Sequence, residues 1–263
     1  MISFTGSTTV GRRIATDGGA TMKRLLMELG GKGAAIVLED ADLAKAVPAI
    51  GSTWAFHSGQ ICTAPTRALV HRSRYDEVVA GLARFAARLP VGDPLLPTTV
   101  VGPVVSAAHR DRVEGYVTGA LAEGARLVFG GTRKEHTPDS PQLPPTGFFV
   151  APTLLADVTP RMTVAREEVF GPVVVVIPFE DDEEALAIAD STEYGLYDYV
   201  FTADTARAYA LAARLRSGNV GINTAQRHPE TPFGGFKQSG VGRDGGSFGL
   251  HAYSEQQAIV WQS

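Results

Sequence analysis

The stretch His57-Ser58-Gly59-Gln60-Ile61-Cys62-Thr63 holds the only cysteine in the chain and sits between a predicted helix and a predicted strand. The glycine ahead of the cysteine lets the backbone turn sharply and brings main-chain N–H groups close to whatever the sulfur attacks. Upstream, Met27-Glu28-Leu29-Gly30-Gly31-Lys32 sets one carboxylate in an apolar, glycine-rich context. A thiol and a carboxylate together are a nucleophile with a candidate base. An arbitrary lone cysteine is more often a small buried hydrophobe, and most glutamates are surface carboxylates. The surrounding residues must therefore decide.

Outward from these two boxes, the chain reads as strands alternating with helices. Met1-Ile2-Ser3-Phe4 ends a strand, and Thr5-Gly6-Ser7 turns into a helix over Thr8–Thr16, a generic phosphate-cradling unit because the first N–H groups of a helix lack partners. Strands follow at Lys23–Leu29 and Ala34–Leu38. Asp40 or Asp42 caps a helix over Leu43–His57, with Pro48 early enough to be tolerated. Arg67–His71 is a strand. Tyr75–Leu89 is a helix with Val78, Val79, Leu82, Phe85 and Leu89 on one stripe.

Ser106–Gly124 is a helix on Val113, Val117 and Leu121, followed by a strand at Arg126–Phe129. Thr132–Gly147, with four prolines and no periodicity, is a loop. The β-branched run Val173–Ile177 suits a strand buried on both faces. Helices at Asp181–Asp190 and Asp204–Arg216 begin with acidic residues that suit the helix dipole. Short strands follow at Tyr199–Phe201 and Asn219–Asn223. Ala252–Trp261 alternates without a helix signal. The pattern predicts an α/β fold with a largely parallel sheet flanked by helices.

Composition narrows the classes further. The chain of 263 residues is 44% hydrophobic, enough for one large core or two modest ones, and its 16 prolines and 29 glycines indicate tight turns rather than low complexity. A formal charge of −4 offers no basic field, so nucleic acid and anionic membrane are not expected partners. A single cysteine excludes an intrachain disulfide framework and a multi-cysteine metal site. No metal-ligand spacing appears among the six histidines, and His57 and His71 fall in no protease-like box. The aliphatic runs stop far short of the roughly 20 residues that span a bilayer, so a cytoplasmic location is expected.

The boxes also carry a resemblance. Glu28-Leu29-Gly30-Gly31-Lys32 and Gly59-Gln60-Ile61-Cys62 resemble the two signature boxes of the NAD(P)-dependent aldehyde dehydrogenases. Matching boxes follow in order: Gly102-Pro103-Val104-Val105-Ser106, Arg166-Glu167-Glu168-Val169-Phe170-Gly171-Pro172, Tyr194-Gly195-Leu196, and Pro232 to Gly240 with Gly242-Arg243 behind it. The resemblance spans essentially the whole chain, which looks like the C-terminal half or so of a family member.

The resemblance implies that Cys62 attacks an aldehyde to give a thiohemiacetal and then, after hydride leaves for NAD or NADP, a thioester. Glu28 would activate the water that hydrolyses it. It also implies cofactor contacts at Gly6, Ser7, Leu29, Gly30, Glu168 and Phe170, with Glu167 competing for the role of Glu168. Gly234, Gly235 and Lys237 would shape a structural turn.

Residues 1–28 would be a remnant of a Rossmann-type cofactor domain, 29–236 the catalytic domain, and 237–263 a return to the cofactor domain ending in an oligomerisation strand. A homo-oligomer joined through that strand, or a companion chain supplying the remaining half, is implied. The family's oxyanion-hole asparagine and its adenosine-ribose lysine lie upstream of what this chain carries; Asn219 and Asn223 fall in a different box. Residues 1–27 are accordingly expected to have lost most of their packing partners and to be poorly ordered. Two alternatives stand beside the enzyme: an inactive assembly fragment, and a cofactor-independent thioesterase or esterase built on Cys62 and Glu28. The aldehyde, and the choice between NAD and NADP, are not specified by these residues.

Overall fold

The β-branched run read as a doubly buried strand lies at the heart of the molecule. The computed structural model describes residues 1–262, and in it Val173–Phe179 (β7) contributes side chains to both faces of a seven-stranded sheet. Val173, Val175, Ile177 and Phe179 enter one core, and Val174 and Val176 the other. The same alternation divides Ala34–Val37 (β3), with Ala34 and Ile36 on the first face and Ala35 and Val37 on the second. A strand apolar at every position has no polar face to give to water, so helices cover both sides.

The sheet also contains Arg67–His71 (β4), Arg126–Phe129 (β5), Thr153–Ala156 (β6), Tyr197–Phe201 (β8) and Asn219–Ile222 (β9). Its order is β5-β6-β7-β4-β3-β8-β9; every neighbouring pair is parallel except β5 with β6. Leu43–Ala55 (α1) and Tyr75–Ala86 (α2) pack on one face through Ile50, Trp54, Val78 and Leu82. Ala107–Ala122 (α3), Thr163–Arg166 (α4), Asp182–Asp190 (α5) and Thr205–Arg214 (α6) cover the other through Val113, Val117, Val164, Leu186 and Leu211. Side-chain caps start these helices: Asp42 for α1, Ser106 for α3, Asp181 for α5 and Asp204 for α6. Asp40 instead accepts from the Thr202 hydroxyl at 2.7 Å and two backbone N–H groups beyond β8.

A second, three-stranded sheet joins the two ends of the chain. Ile2–Thr5 (β1) runs parallel to Leu25–Glu28 (β2), and Gly240–Val241 (β10) runs antiparallel to β2. Between β1 and β2 lies the helix Thr8–Gly19, capped by Ser7. Within residues 1–28, β1 has a full parallel register with β2; from outside this stretch come β10 beside β2 and the Tyr253 hydroxyl, which bonds to Ser3 Oγ at 2.9 Å. The helix itself is thinly covered, burying only Gly11 and Gly18.

Near the end of the chain Gly246–Ala252 is a helix, and residues 254–262 have no regular secondary structure; the strand expected there would pair with a neighbouring subunit. A strand needs a ladder partner for its backbone groups, and this segment has none among the described residues. Ile259, Val260 and Trp261 stand exposed.

Candidate active site

Ligands in open α/β sheets usually gather at the carboxyl ends of the strands. Here the singled-out boxes gather at the amino ends of the seven-stranded sheet and at the carboxyl ends of β1 and β2. Glu28 closes β2 and Leu29–Gly33 lead into β3, while the Cys62 loop leads toward β4, Gly171-Pro172 into β7, and Gly195-Leu196 into β8. The site is thus the seam between the two sheets.

Close backbone packing fixes this seam. A Cβ on Gly31 would lie 2.2 Å from the carbonyl oxygen of Cys62, so only glycine lets the carboxylate box press on the cysteine box. Gly59 has a φ of +74°, and a Cβ there would lie 2.1 Å from the Gly171 carbonyl oxygen. His57, Ser58 and Phe170 also adopt left-handed backbone at φ 49°, 55° and 57°, a conformation that non-glycine residues hold only under constraint. Hydrogen bonds supply that constraint. Ser58 Oγ donates to the Gly102 carbonyl at 2.9 Å, Gln60 Oε1 accepts from the Val105 N–H at 2.9 Å, and His109 Nε2 lies 2.7 Å from the Phe170 carbonyl oxygen.

A cavity of about 480 Å³ opens at the seam, and all eight residues singled out from the sequence line it: Gly6, Ser7, Glu28, Leu29, Gly30, Cys62, Glu168 and Phe170. Its remaining walls include Thr5, Gln60, Ile61, His109 and Arg112. Of these, His109 and Arg112 were missed from the sequence. Both lie on α3 beside Val113, at the i, i+3 and i, i+4 positions that put a polar pair on one flank of the apolar stripe.

The electrostatics of the carboxylates differ. Glu28 is 7% exposed and neither of its side-chain oxygens has a hydrogen-bond partner among the described residues. Burial, with a smaller push from Asp244, raises its pKa from 4.5 to about 7, against the pull of Arg243 and Arg227. Glu168 is also raised, first by burial, but its Oε1 accepts the Gly31 N–H at 2.9 Å, which favours the ionised form. Glu167 is held differently: its Oε2 accepts the Tyr116 hydroxyl at 2.7 Å, and it does not line this cavity.

Burial, with the Glu168 charge next, raises the Cys62 thiol above its ordinary value; its own backbone N–H pulls the other way. Lys32 is fully enclosed, and its pKa falls to about 7 through burial and then the neighbouring Arg67. Arg67 in turn donates to the carbonyls of Lys32, Ile188 and Ala189 at 2.8–2.9 Å, bracing the loop behind the cavity.

Other residues weighed from the sequence have structural roles. Asn219 Nδ2 donates to the Leu196 and Gly234 carbonyls, and Asn223 pairs with the backbone of Thr202. Lys237 Nζ donates to the carbonyls of Thr192 and Asp190. His57 and His71 do not line the cavity. A larger neighbouring cavity of about 590 Å³ shares Ser7, Arg112 and Glu168 with the first, so the two form one continuous cleft along the start of the Thr8–Gly19 helix. Among the described residues no helix is long and apolar enough to cross a membrane.

The chain belongs to the aldehyde dehydrogenase family, whose model matches residues 1–259. Among its relatives, the betaine aldehyde dehydrogenase of Brucella ovis is 41% identical over 261 residues, covering 98% of this chain and 52% of that protein. The aldehyde dehydrogenase of Mycobacterium tuberculosis, solved in complex with NAD+, superimposes with a TM-score of 0.92 at 43% identity, covering 99% of this chain and 52% of that one. A mutant of aldehyde dehydrogenase C from Pseudomonas syringae, solved with NAD+ and octanal, gives 0.92 at 41% identity, with the same coverage. The chain therefore spans about half the length of the relatives it matches.

Proposed function

We propose that this chain carries the thiol and water-activating half of an aldehyde dehydrogenase, which oxidises an aldehyde to a carboxylic acid with NAD+ or NADP+. The observation that carries the reading is the shared cavity of Cys62 and Glu28. The NAD+ complexes of the structural relatives point to the cofactor class, and the donor set fits one end of such a dinucleotide. Glu168 presents a carboxylate for ribose hydroxyls; Ser7 and Thr8 open a helix whose first N–H groups suit a phosphate; and Phe170 offers a ring as a wall for a flat heterocycle. When bound, the dinucleotide would supply the hydride acceptor.

The remaining steps belong to this chain's own residues. Cys62 sulfur adds to the aldehyde carbon, and the Cys62 backbone N–H would stabilise the oxyanion that forms. After oxidation the acyl group remains on sulfur as a thioester. Glu28, with two unpartnered oxygens and a pKa near neutrality, takes a proton from water as that water attacks the thioester carbon. The carboxylic acid leaves and the thiolate is restored.

In this reading residues 29–236 are the catalytic unit. Residues 1–28 belong with 237–263, a grouping supported by the pairing of β10 with β2. The exposed Ile259, Val260 and Trp261 would join a neighbouring subunit as a strand. A companion chain or a longer native protein would supply the rest of the cofactor platform. Equilibrium titration with NAD+ and with NADP+ tests the reading. Binding that weakens at least tenfold in Glu168→Ala, with aldehyde-dependent reduction lost in Cys62→Ser, supports it. No binding of either nucleotide, together with Cys62-dependent ester hydrolysis, would favour the cofactor-independent esterase instead.

A further inference from the structure

Between α4 and β7 the chain passes along one flank of α3. Residues 168–170 have no regular secondary structure, and their carbonyls accept no backbone N–H among the described residues. Side chains of α3 supply the donors instead. Arg112 Nη2 donates to the Glu168 carbonyl at 2.8 Å, and Arg112 Nη1 to the Val169 carbonyl at 3.1 Å. His109 Nε2 lies 2.7 Å from the Phe170 carbonyl oxygen; a carbonyl only accepts, so the ring proton sits on Nε2. Gly171 then passes so close that a Cβ there would lie 2.7 Å from Val113 Cγ2. His109, Arg112 and Val113 stand at i, i+3 and i+4, so a single face of the helix clamps four consecutive residues. The start of that helix is fixed in turn, since Ser106 Oγ accepts the His109 N–H at 3.1 Å.

What the clamp holds is a wall of the catalytic cavity. Glu168 Oε1 accepts the Gly31 N–H at 2.9 Å, and a Cβ on Gly30 would lie 2.5 Å from Glu168 Oε2. Phe170 has a φ of 57°, a conformation that costs a non-glycine residue about 1–3 kcal/mol unless its surroundings impose it. Its ring meets the His109 ring nearly edge-on, with centroids 6.2 Å apart. Of the three donors on α3, the imidazole N–H is the one that falls on the strained residue.

We propose that His109 is a positioning residue: through the Phe170 carbonyl it holds residues 168–170 in their left-handed turn and so keeps the Glu168 carboxylate on the Gly31 N–H, beside Cys62. In this role it touches no reacting atom and moves no proton. The bearing on catalysis rests on Cys62 being the nucleophile, whereas the hold on Glu168 does not. Without the bond the turn relaxes, and a half-buried carboxylate gains hydration by swinging toward the open cleft and away from the sulfur.

Two variants separate the hydrogen bond from side-chain bulk. His109→Gln keeps an N–H the same number of bonds from Cα, and His109→Leu fills the space without a donor. Amide hydrogen exchange of Gly31, followed by NMR, reads the Glu168 contact directly. His109→Leu should speed it about tenfold, as for the loss of one bond to a charged group, and His109→Gln should return it to within about twofold of wild type. Alkylation of Cys62 by iodoacetamide at about pH 7.5 reads the consequence. His109→Leu should speed it about two- to threefold, as for a unit charge withdrawn by about 3 Å along a partly solvated path, and should add nothing once Glu168→Gln is present. Unchanged Gly31 exchange in His109→Leu, or no rescue in His109→Gln, overturns the inference. So does faster exchange shared equally by the β7 amides of Val174 and Val176, which marks general destabilisation, or an equal gain in alkylation without Glu168. A Cys62 that resists alkylation in every chain overturns the nucleophile reading, and Gly31 exchange alone then decides the inference.

Discussion

Replacing Glu28 with glutamine should change the pH dependence of stability in a direction that few single substitutions produce. In the folded chain Glu28 holds its proton up to about pH 7, whereas the unfolded chain releases it near 4.5. Between those values the folded state binds more protons than the unfolded one, so stability contributed at this site falls as pH rises through the window. At 1.36 kcal/mol per pH unit the full effect is about 3 kcal/mol. Because the Glu28 side chain borders the open cavity, solvent screening reduces this to about 1–3 kcal/mol. Glu28→Gln removes the ionisation and, with it, the loss.

The assay is urea unfolding of wild type and Glu28→Gln at intervals from pH 4 to pH 8.5. The difference between the two chains cancels every other titration, including that of Lys32. The variant should gain about 1–3 kcal/mol relative to wild type between pH 4 and pH 7.5, and the difference should be level above that. A difference that does not change with pH would mean that Glu28 is solvated in the folded chain, and the argument for a water-activating base at neutral pH would fail with it.

Other perturbations follow from the same seam. Gly59→Ala must move a Cβ away from the Gly171 carbonyl and hold alanine at positive φ; it should cost about 2 kcal/mol or more and slow alkylation of Cys62 beyond what lost stability explains. Glu168→Gln removes a negative charge that raises the thiol pKa, so iodoacetamide should modify Cys62 faster below pH 8, with the midpoint of its pH profile moved down. Trp54→Ala empties a fully buried site between α1 and β6 and should cost about 3–5 kcal/mol in urea unfolding. Removing residues 254–263 should lower the association state seen by light scattering, while residues 2–252 keep their circular dichroism.

Much of the sheet could be read from the sequence because its strands are apolar at every position and its helices carry regular stripes. The run Val173–Ile177 and the caps Asp42, Ser106, Asp181 and Asp204 are local signals with local causes. What escaped was short or depended on distant partners. Thr153–Ala156 is four residues of buried strand between two others, too brief to show a period. Gly246–Ala252 opens on two glycines at positive φ, a poor helix signal. The two-residue strand Gly240–Val241 exists only because β2 stands beside it.

The site divides in the same way. Glu28 and Cys62 could be named from their boxes, but nothing in one dimension shows that Gly31 rests on the Cys62 carbonyl. The choice of Glu168 over Glu167 also required three dimensions, because it turns on which carboxylate reaches the Gly31 N–H.

The central claim is that Cys62 and Glu28 act on the same acyl group, and single-turnover hydrolysis tests it without any nucleotide. Acetylating Cys62 with p-nitrophenyl acetate and following the protein by intact mass should show the acetyl group leaving at a rate that rises through pH 7 and then levels. In Glu28→Gln the acetyl group should persist at least a hundredfold longer. Equal deacylation in the two chains would show that the carboxylate does not activate the water, and the assignment of the pair would be wrong.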